Sequence, residues 1–234
     1  MEKDFILRKV ITITFVGFFA GKTSFLKRYL LDKFDENLIM TIGIEKIDKI
    51  YQLSNGKEIK LILQDISGNE RYKPITSKYV VHSDGVIIMY DVTNRRSFEE
   101  ALYWINEIRN YKDDIPVIII GNRIDIENRR VILKNEGEEL AQQYNYHFYE
   151  SSCKLKINIK EPIDDLVEII YQKNKDSFQE IKLNKNKKNK NEVIKKEAKK
   201  EKKEKIEAKN KSISNQNLNK KSFFSKIYSN YLNY

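Results

Sequence analysis

A glycine-bounded turn followed by lysine and threonine holds the first residues that could do chemistry. The segment is Gly17-Phe18-Phe19-Ala20-Gly21-Lys22-Thr23, between a short apolar run and a helical pattern. A turn of this kind aims backbone N–H groups and a helix N-terminus at phosphate, and the lysine and threonine add a cation and a Mg²⁺ ligand. The segment therefore indicates a phosphate-binding loop.

Three further polar motifs follow, each at the end of a predicted strand. In Asp65-Ile66-Ser67-Gly68 the carboxylate could hold Mg²⁺ through water, and the glycine lets its backbone approach a terminal phosphate. In Gly121-Asn122-Arg123-Ile124-Asp125 a carboxylate could accept two N–H bonds from guanine, and Ser151-Ser152-Cys153-Lys154 could contact the base. Each motif alone is commonly a turn. Because such sheets bind ligands outside the carboxyl ends of their strands, the order of the motifs indicates a nucleotide site.

Apolar runs and helical periodicities predict the elements that position these motifs. Unbroken apolar runs at Val86–Tyr90 and Val117–Ile120 are typical of strands covered on both faces. Asn55-Gly56 favours a two-residue hairpin turn, and Ser97 with Glu100 is placed as a capping box. Strands that alternate with helices predict an α/β three-layer fold. The other predicted elements are strands at Val10–Val16, Ile44–Leu53, Ile59–Leu63 and His147–Tyr149, and helices at Lys22–Leu31, Ser97–Tyr111, Glu136–Tyr144 and Ile159–Tyr171.

With these motifs in this order, the sequence resembles the Ras superfamily of small GTP-binding proteins, and within it the Rab branch. The resemblance covers about residues 8–172. It implies a P-loop NTPase fold, a Ras-like G domain with a six-stranded mixed sheet and flanking helices. The residues that carry it, besides the phosphate loop, are Thr41-Ile42-Gly43-Ile44-Glu45, Asp65-Ile66-Ser67-Gly68-Asn69-Glu70-Arg71-Tyr72, Tyr90-Asp91-Val92-Thr93 with Ser97-Phe98, and Gly121-Asn122-Arg123-Ile124-Asp125.

The resemblance also implies a role for individual residues. Mg²⁺ would bind Thr23 and Thr41 directly and Asp65 through water, and Phe34 would pack on the guanine edge. Catalysis would involve Lys22, Thr41 and Asn69. The nucleotide would be bound by Gly17, Ala20, Gly21, Lys22, Thr23, Ser24, Phe34, Thr41, Gly68, Asn122, Arg123, Asp125, Ser152, Cys153 and Lys154.

Two departures from the family pattern lie in the phosphate site. Only Phe18-Phe19-Ala20 separates the glycines, where the family pattern has four residues. Either the loop is distorted and nucleotide binding weakens, or the loop closes more tightly and binding survives. Asn69 stands where the family has the glutamine that orients the attacking water. Its amide falls about 1.5 Å short of that position, so slow hydrolysis is expected.

Two further departures concern the base and the partner surface. Arg123 replaces the family's usual lysine beside the base, and a guanidinium can partly substitute by stacking. The aromatic triad that Rab partners contact corresponds here to Lys46, Gln64 and Tyr79, of which only the last is aromatic. Partners of well-known Rab proteins therefore do not transfer directly to this chain.

Charge divides the chain in two. Of the 234 residues, with a net charge of +10, residues 173–234 hold 19 Lys and 7 acidic residues. We expect a GTP-binding domain at 1–172, then a Lys/Asn-rich linker at 173–221 that is disordered or a single helix. Residues 222–234 form an amphipathic aromatic segment. Its apolar stripe is Phe223, Phe224, Ile227, Tyr228, Tyr231 and Leu232.

Composition also limits the cellular compartments in which we expect the protein. No apolar run is long enough to span a bilayer, and the first residues resemble neither a secretory signal nor a myristoylation site. One Cys and two His exclude an internal disulfide and a Cys/His zinc cluster. The last residues contain no cysteine for prenylation. We therefore expect a cytoplasmic protein, peripheral on the cytosolic face of an endomembrane, with the basic tail replacing the lipid. Alternatively, the aromatic stripe folds back on the domain.

The resemblance implies a GTP/GDP switch in vesicle trafficking that hydrolyses GTP slowly. Its expected ligands are guanine nucleotide and Mg²⁺, and its expected partners are an exchange factor, an activating protein and effectors. A pseudo-GTPase scaffold is the competing interpretation. The guanine signature disfavours a P-loop kinase or ATPase. Nucleic acid is a disfavoured partner, because no nucleic-acid-reading motif accompanies the basic tail.

Overall fold

A six-stranded sheet forms the centre of the protein. The computed structural model describes residues 10–36 and 40–175. The sheet has the order β2-β3-β1-β4-β5-β6, in which β2 is antiparallel to β3 and the other neighbours are parallel. This mixed sheet confirms the predicted Ras-like α/β fold. The strands are β1 (Val10–Val16), β2 (Ile44–Gln52), β3 (Glu58–Ile66), β4 (Gly85–Asp91), β5 (Val117–Asn122) and β6 (His147–Ser151).

The register of the parallel strands places their carboxyl ends at one edge of the sheet. Phe15 pairs with Asp65, Asp91 with Asn122, and Asn122 with Ser151. The polar motifs that follow β1, β3, β5 and β6 are therefore neighbours in space, although they are far apart in the sequence.

Helices cover both faces of the sheet. The helices are α1 (Lys22–Leu31), α2 (Lys73–Val81), α3 (Arg95–Tyr111), α4 (Lys134–Gln143) and α5 (Glu161–Lys173), with 3₁₀ turns at Glu70–Tyr72 and Glu127–Arg129. The β4 side chains of Val86 and Ile88 join the core cluster that includes Trp104 of α3. Ile87 and Met89, which alternate with them, are also completely buried. Burial of both faces explains why β4 is an unbroken apolar run.

Two local predictions are corrected. The hairpin turns at Asn55-Gly56 as predicted. The Leu53 N–H donates a hydrogen bond to the Lys57 carbonyl, so the loop has three residues and not two. Gly56 has the positive φ of 76° that such a loop requires. Ser97 does not cap α3, which begins at Arg95 after Asn94. Its hydroxyl lies inside the first turn and accepts a hydrogen bond from the Asp91 N–H at 2.8 Å.

The predicted tail lies almost wholly outside the described residues. The structure describes the first three residues of the 173–221 segment and none of the 222–234 segment, so both assignments stay predictions. Within the described part of the chain, no helix is long and apolar enough to cross a membrane.

Candidate functional site

One cavity of about 490 Å³ collects the predicted motifs at the carboxyl edge of the sheet. Of the predicted ligands, those that line it are Gly21, Lys22, Thr23, Ser24, Phe34, Thr41, Gly68, Asn122, Arg123, Asp125, Cys153 and Lys154. Gly17, Ala20, Asp65, Asn69 and Ser152 are not among the lining residues. The cavity brings the phosphate loop, the base motifs and the segment around Thr41 to one place.

Lys22 is buried at the start of α1, at the closed end of the phosphate loop. Its side chain is 5% exposed, and its Nζ donates a hydrogen bond to the Gly17 carbonyl at 2.6 Å. Burial lowers the pKa of this lysine to about 8, although the nearby Asp65 carboxylate acts in the opposite direction. A buried ammonium with one carbonyl partner is a strong site for phosphate oxygens.

The phosphate loop runs from Gly17 to Gly21 and adopts a strained conformation at Phe19. That residue has φ 44°, in the left-handed region that bulky side chains rarely adopt. The G-x-x-x-x-G-K-[ST] pattern, counted back from Gly21, places its first glycine at Val16, the last residue of β1. The stretch between Gly17 and Gly21 is therefore one residue shorter than the pattern, and phenylalanines occupy two of its three positions.

Three oxygens converge beside Lys22 in an arrangement suited to a hard cation. The Thr23 Oγ1 lies 2.5 Å from both the Thr41 Oγ1 and the Asp65 Oδ2. Asp65 is 1% exposed, its pKa is raised chiefly by burial, and its Oδ1 is a buried atom with no hydrogen-bond partner. An unpartnered buried carboxylate oxygen beside two hydroxyls fits Mg²⁺, which prefers oxygen ligands. Elsewhere in the described chain, no group of three or more His, Cys, Asp or Glu could hold a metal.

Asn122 joins the phosphate loop to the base end of the cavity. Its Nδ2 donates to the Ala20 carbonyl at 2.9 Å, and its Oδ1 accepts from the Ser151 hydroxyl at 3.0 Å. The Cys153 thiol also donates to this Oδ1, at 3.6 Å, and burial raises the pKa of that thiol to about 11. Asn122 is thus a structural tie between two loops.

Asp125 is fixed by Ser152, although Ser152 itself does not line the cavity. The Ser152 hydroxyl donates to Asp125 Oδ1 at 2.6 Å. This bond orients the carboxylate, and Asp125 lines the cavity with its second oxygen available as an acceptor. Such an acceptor suits the N–H donors of guanine.

The side walls of the base end are cationic and aromatic. The Arg123 guanidinium, with the backbone at φ 69°, forms an ion pair with the buried Asp91 at 2.9 Å. Phe34 also lines the cavity, and the centre of its ring is 5.9 Å from the Arg28 guanidinium. The Lys154 ammonium reaches Glu36 at 2.7 Å. Both residues of this last pair line the cavity, so it lies at the cavity rim.

Asn69 does not line this cavity. Its Oδ1 accepts a hydrogen bond from the Arg71 N–H at 3.0 Å and so caps the 3₁₀ turn that begins at Glu70. The residue lines a second, very small cavity of about 10 Å³, next to Phe18. The position of Asn69 in the sequence thus predicts a catalytic role, whereas in the structure its side chain caps the 3₁₀ turn.

Of the three residues of the predicted partner surface, two contact each other and the third is buried. The Lys46 ammonium lies 4.9 Å from the centre of the Tyr79 ring. Gln64 is only 6% exposed, and its Oε1 accepts a hydrogen bond from the Thr14 hydroxyl at 2.7 Å. Gln64 therefore belongs to the interior and presents little to a partner.

Several cavity residues had not been predicted. Ile66 and Ser67 lie inside a quoted motif, and Asp35 and Glu36 flank Phe34, so their neighbours were a usable signal. Arg28 does not line the cavity, but its Nε donates to the carbonyl of the lining residue Cys153 at 2.8 Å, and this contact across 125 positions of sequence had no local signal. The other unpredicted lining residues are Phe19, Met40 and Ile126.

Comparisons with known proteins found a family profile and several relatives that match more than two thirds of the chain. The Ras family profile matches residues 12–172. Over 160 residues the chain is 40% identical to the human Ras-related protein Rab-3A, covering 68% of this chain and 72% of the relative. It is also 40% identical over 162 residues to the bovine Ras-related protein Rab-3C, covering 68% and 70%, and 38% identical over 162 residues to human Rab-3D, covering 68% and 73%.

Proposed function

Because the chain belongs to the Ras family of small GTPases and is Rab-like, we propose that it is a GTP/GDP switch in vesicle trafficking. The observation that supports this most directly is the cavity of about 490 Å³. It contains three groups: the buried Lys22, the hydroxyls of Thr23 and Thr41, which contact the Asp65 carboxylate outside the lining, and the Asp125 acceptor. These three groups match a triphosphate, a divalent cation and a guanine base.

In this proposal each end of the nucleotide meets a different set of residues. Lys22 places its charge on the outer phosphates, and the Gly68 N–H donates to the γ-phosphate. The Asp125 carboxylate accepts from guanine, and Arg123 and Phe34 flank the base. Mg²⁺, held by Thr23, Thr41 and, through water, Asp65, would neutralise charge on the phosphates. Water attacks the γ-phosphorus in line while the bond from that phosphorus to the β–γ bridging oxygen breaks, and Lys22 stabilises the developing charge. GDP leaves, one proton of the water stays on the inorganic phosphate, and the other is released to solvent.

Hydrolysis is proposed to be slow without an activating partner. Phosphoryl transfer depends on positioning, and the amide of Asn69 is shorter than the family's glutamine and is used as a cap.

The conformational response would involve two segments, 32–43 and 66–79. They meet directly, because the Ser67 N–H donates to the Gly43 carbonyl at 2.9 Å and Thr41 contacts Asp65. A γ-phosphate that binds Gly68 and orders Thr41 would therefore act on both segments together. Exchange factors, activating proteins and effectors would distinguish GTP from GDP by this shared arrangement.

The competing function, a pseudo-GTPase scaffold, is favoured by the phosphate loop. Phe19 is strained and lines the cavity, where it takes space that the pattern leaves to small residues. The next experiment separates the two proposals.

Titration of the full chain with fluorescent GDP and GTP in Mg²⁺ tests the switch. Tight binding that Lys22→Ala weakens at least about a hundredfold supports it, because removing a buried phosphate partner is costly. Lys27→Ala, an exposed lysine on the same helix, is the matched control and should bind like the natural chain. Absence of binding by the natural chain would favour the scaffold.

We further propose that the protein is cytoplasmic and peripheral on an endomembrane, held there by the basic linker and the aromatic segment at 222–234. Vesicle flotation with anionic and neutral lipids tests this. The full chain should float with anionic vesicles, and a variant with Phe223 and Phe224 replaced by Ser should not. Equal recovery of both would contradict the membrane role.

A further inference from the structure

Phe18 fills the space between the phosphate loop, α2 and α3. Its half-buried ring lines the cavity of about 10 Å³ together with Asn69, Lys73 of α2 and Trp104 of α3. Because so little space remains, the Phe18 ring packs closely between these elements. It also contacts Phe19 edge to face, with the ring centres 4.6 Å apart.

Arg96, the second residue of α3, contacts this ring and the catalytic segment at the same time. Its guanidinium carbon lies 4.5 Å from the centre of the Phe18 ring. The same guanidinium forms an ion pair with Glu70, the residue that follows Asn69. One side chain therefore joins the phosphate loop to the segment 68–72.

The two joined segments are already in close contact through their backbones. A Cβ placed on Gly68 would lie 2.6 Å from the Phe19 nitrogen and 2.9 Å from the Gly17 carbonyl oxygen. Movement of the segment 68–72 away from the loop would therefore separate Glu70 from an arginine that is held over Phe18.

We propose that Arg96 is a positioning residue that holds Gly68 against the phosphate loop, ready for the γ-phosphate. The proposal rests on the function proposed above. GTP contacts Gly68 through its third phosphate, whereas GDP does not reach it. If Arg96 orders the segment 68–72 before the nucleotide binds, GTP binding costs less conformational entropy. The affinity for GDP does not depend on the order of this segment.

Both contacts of Arg96 are suited to this role. A guanidinium is planar, so it stacks on Phe18 while its edge binds a carboxylate, which an ammonium does less well. Arg96 and Glu70 are both substantially exposed, with 58% and 46% of their side chains accessible. The ion pair alone is therefore weak, and the stack on Phe18 is what holds the guanidinium in place.

The test compares the affinity of the full-length chain for GDP with its affinity for a non-hydrolysable GTP analogue, in Mg²⁺. Arg96→Ala should weaken the analogue about three- to tenfold and change GDP less than about twofold. Arg96→Lys should fall between the two proteins. Arg95→Ala is the matched control, because Arg95 is its neighbour on α3 but binds Glu136 on α4.

The double variant identifies the path of the effect. Phe18→Ala should lower the analogue affinity in the same way, and adding Arg96→Ala to it should have little further effect. Equal losses for both nucleotides, or no loss for either, would overturn the positioning role. Additive losses would overturn the path through Phe18. If the natural chain binds neither nucleotide, the proposed function itself fails, and that result is distinct from each of these.

Discussion

The carboxamide oxygen of Asn69 accepts a hydrogen bond from the Arg71 N–H at 3.0 Å. The bond commits the side chain to the 3₁₀ turn after it, so the side chain contributes little to water activation. We expect Asn69→Gln to raise the single-turnover rate of GTP hydrolysis about tenfold, because the longer amide reaches farther toward the attacking water.

Asn69→Ala is the control for this prediction. Its hydrolysis rate should stay within about twofold of the natural chain, while its melting temperature falls slightly because the turn loses its cap. A large loss of hydrolysis in the alanine variant would show that Asn69 already orients water.

Nucleotide affinity should depend on pH through Lys22. Burial lowers the pKa of this lysine to about 8 in the free protein, and a bound phosphate raises it again. Affinity should therefore be constant below pH 8 and decline above it, by up to about tenfold per pH unit. Fluorescent GDP titrations between pH 7 and 9 measure this, and the Lys22→Ala protein should show no such decline.

Release of nucleotide should be sensitive to salt through an ion pair at the cavity rim and a second ion pair two to four residues away from it in the sequence. Lys154 binds Glu36 at 2.7 Å and Lys156 binds Asp32 at 2.8 Å, and each of the four side chains is more than half exposed. The double substitution Asp32→Asn, Glu36→Gln should speed GDP dissociation about two- to fivefold at about 0.05 M salt. The difference should nearly vanish at about 1 M, because salt screens exposed charges.

Asp113→Asn is the matched control for the rim. It breaks an exposed ion pair with Arg109 on α3, away from the cavity, and should leave GDP dissociation unchanged. A salt-independent acceleration in the double variant would mean that the substitutions reshape the cavity wall and that charge is not the cause.

Replacing Gly137 of α4 by alanine should destabilise the protein, although alanine usually stabilises a helix relative to glycine. A Cβ there would lie 2.3 Å from the Tyr90 Oη and 2.6 Å from the Phe148 ring. Gly137→Ala should lower the free energy of unfolding by about 1–3 kcal/mol, because this clash exceeds the gain in helix propensity. Denaturant unfolding measures it. Gln142→Ala, at an exposed position of the same helix, should be neutral within about 0.5 kcal/mol.

The sequence predicted the sheet well because its signals are local. The apolar runs at 86–90 and 117–120 indicated β4 and β5 within two residues of their observed ends. The helix α2 gave no comparable signal, since only Thr76 and Val80 of it are buried. Ser97 shows the opposite error. Serine is a common capping residue, and the sequence predicted a cap there, but α3 begins two residues earlier, at Arg95.

The sequence predicted which residues belong to the site but not how their side chains are oriented. Twelve of the predicted ligands line the cavity. The direction of Asn69 depends on a 3₁₀ turn, and the burial of Gln64 depends on Thr14 from another strand. Sequence patterns hold no such information, because these contacts arise only once the strands are assembled.

Lys22 and Asp65 are 5% and 1% exposed, so this domain keeps a buried cation and a buried carboxylate at its centre. Groups of this kind are expensive in a folded chain unless something of opposite charge accompanies them. In the proposed complex, a nucleotide with its cation would add partners to the attraction between these two groups, so folding and ligand binding would be thermodynamically linked. At a thousand times its dissociation constant, such a ligand would add about 4 kcal/mol to stability. The amount of folded protein in a cell would then follow the supply of guanine nucleotide as well as the rate of synthesis.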